Sequence, residues 1–161
     1  MFKVGDLAVY PAHGVGTIHS IEKRETLGGA RTFYIIKIIN TGATIILPTD
    51  NIESVGLRKI VDKNALQKVY QILRGKKEPM IDNQTWNRRH REYMDKIKSG
   101  SVMEVAKVMR ELYFLKSNKE LSFGERKMLD MAKGLLIREL AITKNITEDK
   151  MEAELNKMMQ K

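Results

Sequence analysis

"TFYIIKIINTGATIILPTDNIESVGLRKIVDKNALQKVYQILRG", residues 32–75, changes its period halfway. Up to Pro48 it holds two short runs of β-branched and aromatic residues, "TFYIIKII" and "ATIILP", parted by the turn signal "NTG". After Gly56 the apolar positions recur every three or four residues. Leu66, Val69, Tyr70 and Leu73 then share one helical face, and the run stops at Gly75, where a glycine favours helix termination. The stretch predicts a β domain ending and an α domain beginning.

Working outward confirms both halves of that reading. Towards the N-terminus, "LAVY" and "GVGTIHSIEKR" add strands separated by "PAHG" and "LGGA", and Gly28-Gly29 and Gly42 supply the positive φ that tight hairpins need. Four or five strands in so short a segment imply a small twisted SH3-like or Tudor-like β-barrel. Towards the C-terminus, Asn64 to Gln67, Ser101 to Glu104 and Ser122 to Glu125 have capping-box spacing, each opening a helical pattern. A polar connector, "KKEPMIDNQ", follows the first helix, and further helices are expected over roughly 84–98, 102–116, 123–141 and 147–159. Thr147 reads as the cap of the last, with Glu148 and Asp149 complementing its dipole. The expected fold is α+β: a β domain over 1–58 and a compact bundle of about five helices over 59–161.

Composition narrows function. The 161 residues include no cysteine, and the three histidines, His13, His19 and His90, are scattered. A disulfide framework, a thiolate metal site and a Cys nucleophile are thereby excluded. "GVG" at 14–16 lacks a third glycine and opens a strand, so it reads as turn geometry and not as a nucleotide loop. His13 falls in a turn, His90 on the buried side of its helix, and neither has a ligand or carboxylate at useful spacing. No enzyme, metal or cofactor is expected. With no apolar run long enough for a membrane span and no leader pattern, a cytoplasmic location is expected.

The net charge of +9 is unevenly placed: residues 1–58 hold six Lys/Arg against five Asp/Glu, residues 59–161 hold 23 against 15. A basic helical half calls for an anionic partner, and nucleic acid fits it better than a membrane. Within that half, "DNQTWNRRHRE" sets the single tryptophan, Trp86, against Arg88, Arg89 and Arg91. At about 100° per residue Trp86, His90, Tyr93 and Ile97 form one stripe, which favours a buried indole. Its place at the helix start, after a long connector and among arginines, favours an indole that stacks on a base or wedges into a groove while guanidinium groups hold phosphates. Both readings stand at this point.

"FKVGDLAVYPAHGVGTI", "ILPTDNIESVGLRKI", "TWNRRHREYMDKIKSG", "VAKVMREL" and "LSFGERKMLDMAKGLLIREL" together resemble the CarD/CdnL family of bacterial transcription regulators over essentially the whole chain. The resemblance implies a Tudor-like domain that docks on the RNA polymerase β subunit, shared with the transcription-repair coupling factor. It also implies a helical domain whose tryptophan wedges into the promoter minor groove at the upstream edge of the transcription bubble and stabilises the open complex. Position by position, Trp86 matches the wedge, Arg88, Arg89 and Arg91 the basic residues after it, and Arg126 the basic residue after "GE"; Lys127 is added by adjacency and charge. On the polymerase side Arg24 matches a basic contact, and Ile46 stands where some members carry a second arginine, which makes docking here more apolar. The resemblance thus favours an adaptor between polymerase and promoter DNA, nucleoid-associated through the polymerase, over a free-standing nucleic-acid binder; a monomer is expected, although the exposed edge strands of such a barrel can pair or swap with a second copy.

Overall fold

The structure, a computed structural model, describes residues 2–75 and 86–160, excepting the side chains of Trp86 and Asn118. The connector "KKEPMIDNQ" and the expected helix start at 84 lie outside the described residues. The chain divides into two compact units, Met1–Ile60 and Val61–Lys161.

In the first unit β1 (Leu7–Tyr10), β2 (Gly14–Thr26), β3 (Gly29–Ile38) and β4 (Thr44–Pro48) form an antiparallel sheet in chain order. The sheet is curled and open, a half-barrel. Hairpin chemistry places the turns, since Gly29 and Gly42 adopt φ of 106° and 73°, whereas Gly28, expected to share the first turn's positive φ, does not: one left-handed residue suffices there. The concave face carries Ile18, Tyr34, Ile36, Ile38 and Leu47 into a core closed by Phe2 and Leu57. Phe2 meets Tyr34 edge-on at 6.1 Å, and its N–H donates to the tyrosine oxygen at 3.3 Å. After β4 the chain makes a 3-10 turn (Thr49–Asn51) and a single helical turn, α1 (Ile52–Val55), before returning to the first strand. There Val9 N–H donates to the Arg58 carbonyl at 2.7 Å and Arg58 N–H to the Val9 carbonyl at 3.2 Å, covering the β1 edge.

The "GVG" motif has a packing reason. A Cβ on Gly16 would lie 2.7 Å from Ile36 Cγ2 and 3.1 Å from the Lys37 carbonyl oxygen. Gly16→Ala is therefore expected to overpack the half-barrel and cost about 1–3 kcal/mol, read as an earlier urea midpoint with an unchanged slope. A midpoint equal to wild type would refute this close-packing account.

The second unit comprises α2 (Lys63–Arg74), α3 (Trp86–Lys98), α4 (Val102–Asn118), α5 (Phe123–Lys144) and α6 (Glu148–Met159). Ser122 and Glu125 make a reciprocal capping box, Ser101 accepts from Glu104 N–H and Thr147 from Lys150 N–H. The first helix departs from expectation: Asp62, not Asn64, caps α2 by accepting from Ala65 N–H, so the helix begins one residue ahead of Asn64. A carboxylate at that position is as good a cap, and it leaves Asn64 inside the first turn. Leu66, Val69, Tyr70 and Leu73 are the buried face of α2, which packs on α4 and α6. The start of the unit is clamped to α5, where the buried Glu139 carboxylate accepts from Val61 N–H at 2.9 Å and the Thr143 hydroxyl donates to the Val61 carbonyl at 2.9 Å. Lys144 Nζ and Glu154 Oε1, 2.8 Å apart, join α5 to α6. Their mutual hydrogen bond raises the Lys144 pKa and lowers that of Glu154.

Candidate functional site

Helix α3 carries the basic sequence that surrounds the tryptophan. In its first two turns Asn87, Arg88, His90, Arg91 and Glu92 are exposed, Arg89 faces inward, and Tyr93 and Ile97 are buried against α4. Burial pushes the Tyr93 hydroxyl pKa up. The buried row is thus Arg89, Tyr93 and Ile97, and His90 lies outside it, contrary to the expectation that His90 is buried. Positions 89 and 90 both border the stripe at helical spacing, so the choice between them falls to a distant partner. That partner is Glu125. Arg89 Nη2 stands 3.6 Å from Glu125 Oε2, with the arginine side chain 12% and the glutamate 2% exposed.

Glu125 belongs to the first turn of α5. Its Oε1 accepts from Ser122 N–H at 2.9 Å, its own N–H donates to Ser122 Oγ at 3.2 Å, and Lys119 Nζ lies 3.3 Å away. Burial alone would raise the carboxyl; the hydrogen bonds from Ser122 and the Lys119 ammonium outweigh it and hold the pKa below its ordinary value. The same turn points outward as well: Phe123 is 74% exposed, and Arg126 and Lys127 are exposed beside it. Arg126 also lines an open groove with Lys116 and Lys119.

The ion pair therefore brings the N-terminal turns of α3 and α5 together. Arg88 and Arg91 on α3 and Arg126 and Lys127 on α5 are exposed, and Arg88 Nε is 3.8 Å from Glu92 Oε1 on its own helix. The N-terminus of α5 contributes partial positive charge beside Arg126 and Lys127. Phe123 was not singled out in the sequence. The side chain of Trp86 lies outside the described residues, while its backbone opens α3.

In the first unit the register settles which residues share the convex face of the sheet. Ser20 pairs with Ile35 and Ile35 with Ile46; Glu22 pairs with Phe33 and Phe33 with Pro48; Arg24 pairs with Arg31. Directly paired residues point to the same side, so Arg24 and Ile46 lie on one surface with Phe33 and Ile35 between their strands. Ile46 is 49% exposed, a large apolar side chain open to solvent. The Ser20 hydroxyl donates to Glu22 Oε2 at 2.9 Å and Arg24 Nη2 to Glu22 Oε1 at 3.1 Å, and these bonds lower the Glu22 pKa. Arg31 lies over the Phe33 ring at 6.0 Å and pairs with Asp50 at 2.9 Å. Ile35 is itself buried, so the apolar part of this face open to solvent is Ile46 with part of Phe33, flanked by paired charges, as expected of a protein contact. His13 sits in the β1–β2 turn, its ring edge-on to Tyr10 at 5.1 Å.

Comparison with known proteins supports both halves. Residues 2–61 match the CarD-like/TRCF RID domain and residues 68–156 the CarD C-terminal domain. The chain is 38% identical over 149 residues, 92% of its length and 95% of the relative's, to "Putative transcription factor YdeB" of Bacillus subtilis (strain 168). A solved structure, "CdnLNt from Myxoccoccus xanthus", is 44% identical and covers 38% of this chain and 86% of its own, with a TM-score of 0.33. With an RNA polymerase-interacting domain followed by the C-terminal helical domain, the chain belongs to the CarD family of transcription factors, which are not enzymes.

Proposed function

We propose that this protein docks on the RNA polymerase β subunit through the convex face of its sheet and stabilises the open promoter complex with its helical unit. Trp86 enters the minor groove at the upstream edge of the bubble, and Arg88, Arg91, Arg126 and Lys127 hold the backbone on either side. Phe123 adds a second exposed ring to the same surface. The observation that carries this reading is the exposure of Arg88 and Arg91 on the first two turns of α3 and of Phe123, Arg126 and Lys127 on the first turn of α5, two helices joined by the Arg89 to Glu125 pair. An aromatic among phosphate-binding groups is how proteins hold an unstacked or kinked base step. Arg89 is spent on Glu125, so the phosphate contacts fall to its neighbours.

The polymerase arm is tested by Arg24→Glu in the full-length protein. Reversal removes the Glu22 pair and places two carboxylates on one face, and it is expected to weaken binding to the β subunit about five- to ten-fold, roughly 1–1.4 kcal/mol. Circular dichroism should show the sheet intact, because Arg24 is exposed. Unchanged affinity with an intact fold would move the docking surface elsewhere, and no retention of the β subunit by wild type would favour a free-standing nucleic-acid binder.

A further inference from the structure

The charges that join α3 to α5 exceed what helix capping requires. Glu125 caps α5 through Ser122, and a glutamine at this position would complete the same reciprocal cap. Burying a carboxylate is unfavourable unless it is paired, and Glu125 at 2% exposure is paired twice, with Lys119 at 3.3 Å and Arg89 at 3.6 Å. Lys119 belongs to the turn just before the cap, so its pair is local. Arg89 is different. It lies on another helix, one turn after Trp86, whereas the apolar anchors of α3, Tyr93 and Ile97, stand further along it and pack on α4. The Arg89 to Glu125 pair lies one turn nearer the start of α3 than Tyr93 and ties that turn to α5.

We propose that Glu125 is a positioning residue for Trp86: through Arg89 it fixes the first turn of α3 against the first turn of α5, so that the indole and the exposed Arg88, Arg91 and Arg126 meet one nucleic-acid backbone in a set arrangement. The inference rests on the reading that Trp86 touches DNA. Arg89 is then conformational in its effect and makes no phosphate contact of its own. A charge pair suits the task because a buried carboxylate and guanidinium are each costly to leave unpaired, which holds the two helix turns in proximity.

The test uses the full-length protein and its single tryptophan, whose fluorescence reports position 86 alone. Glu125→Gln keeps the capping box and removes the charge. In the free protein it is expected to lower the fluorescence anisotropy of Trp86 and to change its quenching by acrylamide, while thermal unfolding stays cooperative. At a promoter it is expected to shorten the open-complex lifetime about three-fold, and to have no further effect once Trp86→Ala is present, because residues acting through one another are not additive. Unchanged anisotropy and quenching would overturn the proposal, and so would an equal loss of lifetime in both backgrounds, which a purely structural role predicts. If Trp86→Ala alone leaves the lifetime at the wild-type value, the DNA-contact reading fails, while the fluorescence arm still decides whether Glu125 positions Trp86. Should Glu125→Gln fail to fold, Arg89→Gln, which removes the other charge of the pair and leaves the capping box untouched, is measured in the same way with the same expected results.

Discussion

Trp86→Ala is expected to shorten the lifetime of open promoter complexes about ten-fold while leaving polymerase binding and the melting temperature within a few degrees of wild type. Stacking of an indole on a base is worth roughly 1–3 kcal/mol by alanine substitution, and each 1.4 kcal/mol is ten-fold in stability. Trp86→Phe should fall between, keeping a smaller aromatic face. One turn along α3 the inward place is taken by Arg89 beside Glu125, and among the described side chains the apolar row begins at Tyr93. A core tryptophan would behave otherwise: truncation would cost about 3–5 kcal/mol, and a unit of this size loses roughly 4–8 °C for each. Thermal melts beside dissociation kinetics separate the two, and a melt lowered by more than about 10 °C would place Trp86 in the bundle.

Raising salt from 50 to 200 mM should weaken DNA binding by the full-length protein by about two orders of magnitude, the largest effect expected here. Each neutralised phosphate releases counterions, and if three or four of Arg88, Arg91, Arg126 and Lys127 engage, the log-log slope is about −3 to −4. Arg126→Ala should reduce its magnitude by about one, uniformly across sequences, because a phosphate contact carries no base information. Arg89→Ala should not act in this way, as its guanidinium is turned to Glu125. Fluorescence titrations at four salt concentrations measure the slope, and a flat response would remove phosphate contact from the mechanism.

Local features were the legible ones. The exchange of a two-residue period for a 3.6-residue one near Gly56 announced the two folds, and the glycines at 29 and 42 announced two hairpins, because each signal depends on residues within a turn of one another. Ser101, Ser122 and Thr147 were legible as caps for the same reason. Asn64 misled because Asp62, two residues earlier, offers an equivalent oxygen, and the spacing alone does not rank two adjacent caps. The candidate site was legible as a list of residues. Its arrangement was not.

What the sequence determined by itself, then, is the class of each half, the helix starts, the excess of positive charge on the helical side and, through family motifs, the residues to watch. Tertiary structure decided how those residues are used. It turned Arg89 inward and His90 outward, because Glu125, distant in the chain, offers a buried carboxylate to Arg89. It set Arg24 and Ile46 on a single face through the register of β3, and it made Gly16 a packing requirement by bringing Ile36 against it. Periodicity states which side of an element is apolar through contacts that repeat every few residues. Which charged side chain crosses to a neighbouring element depends on the loss of hydration that burial imposes and on the partner that offsets it, and that partner is supplied only when distant segments pack.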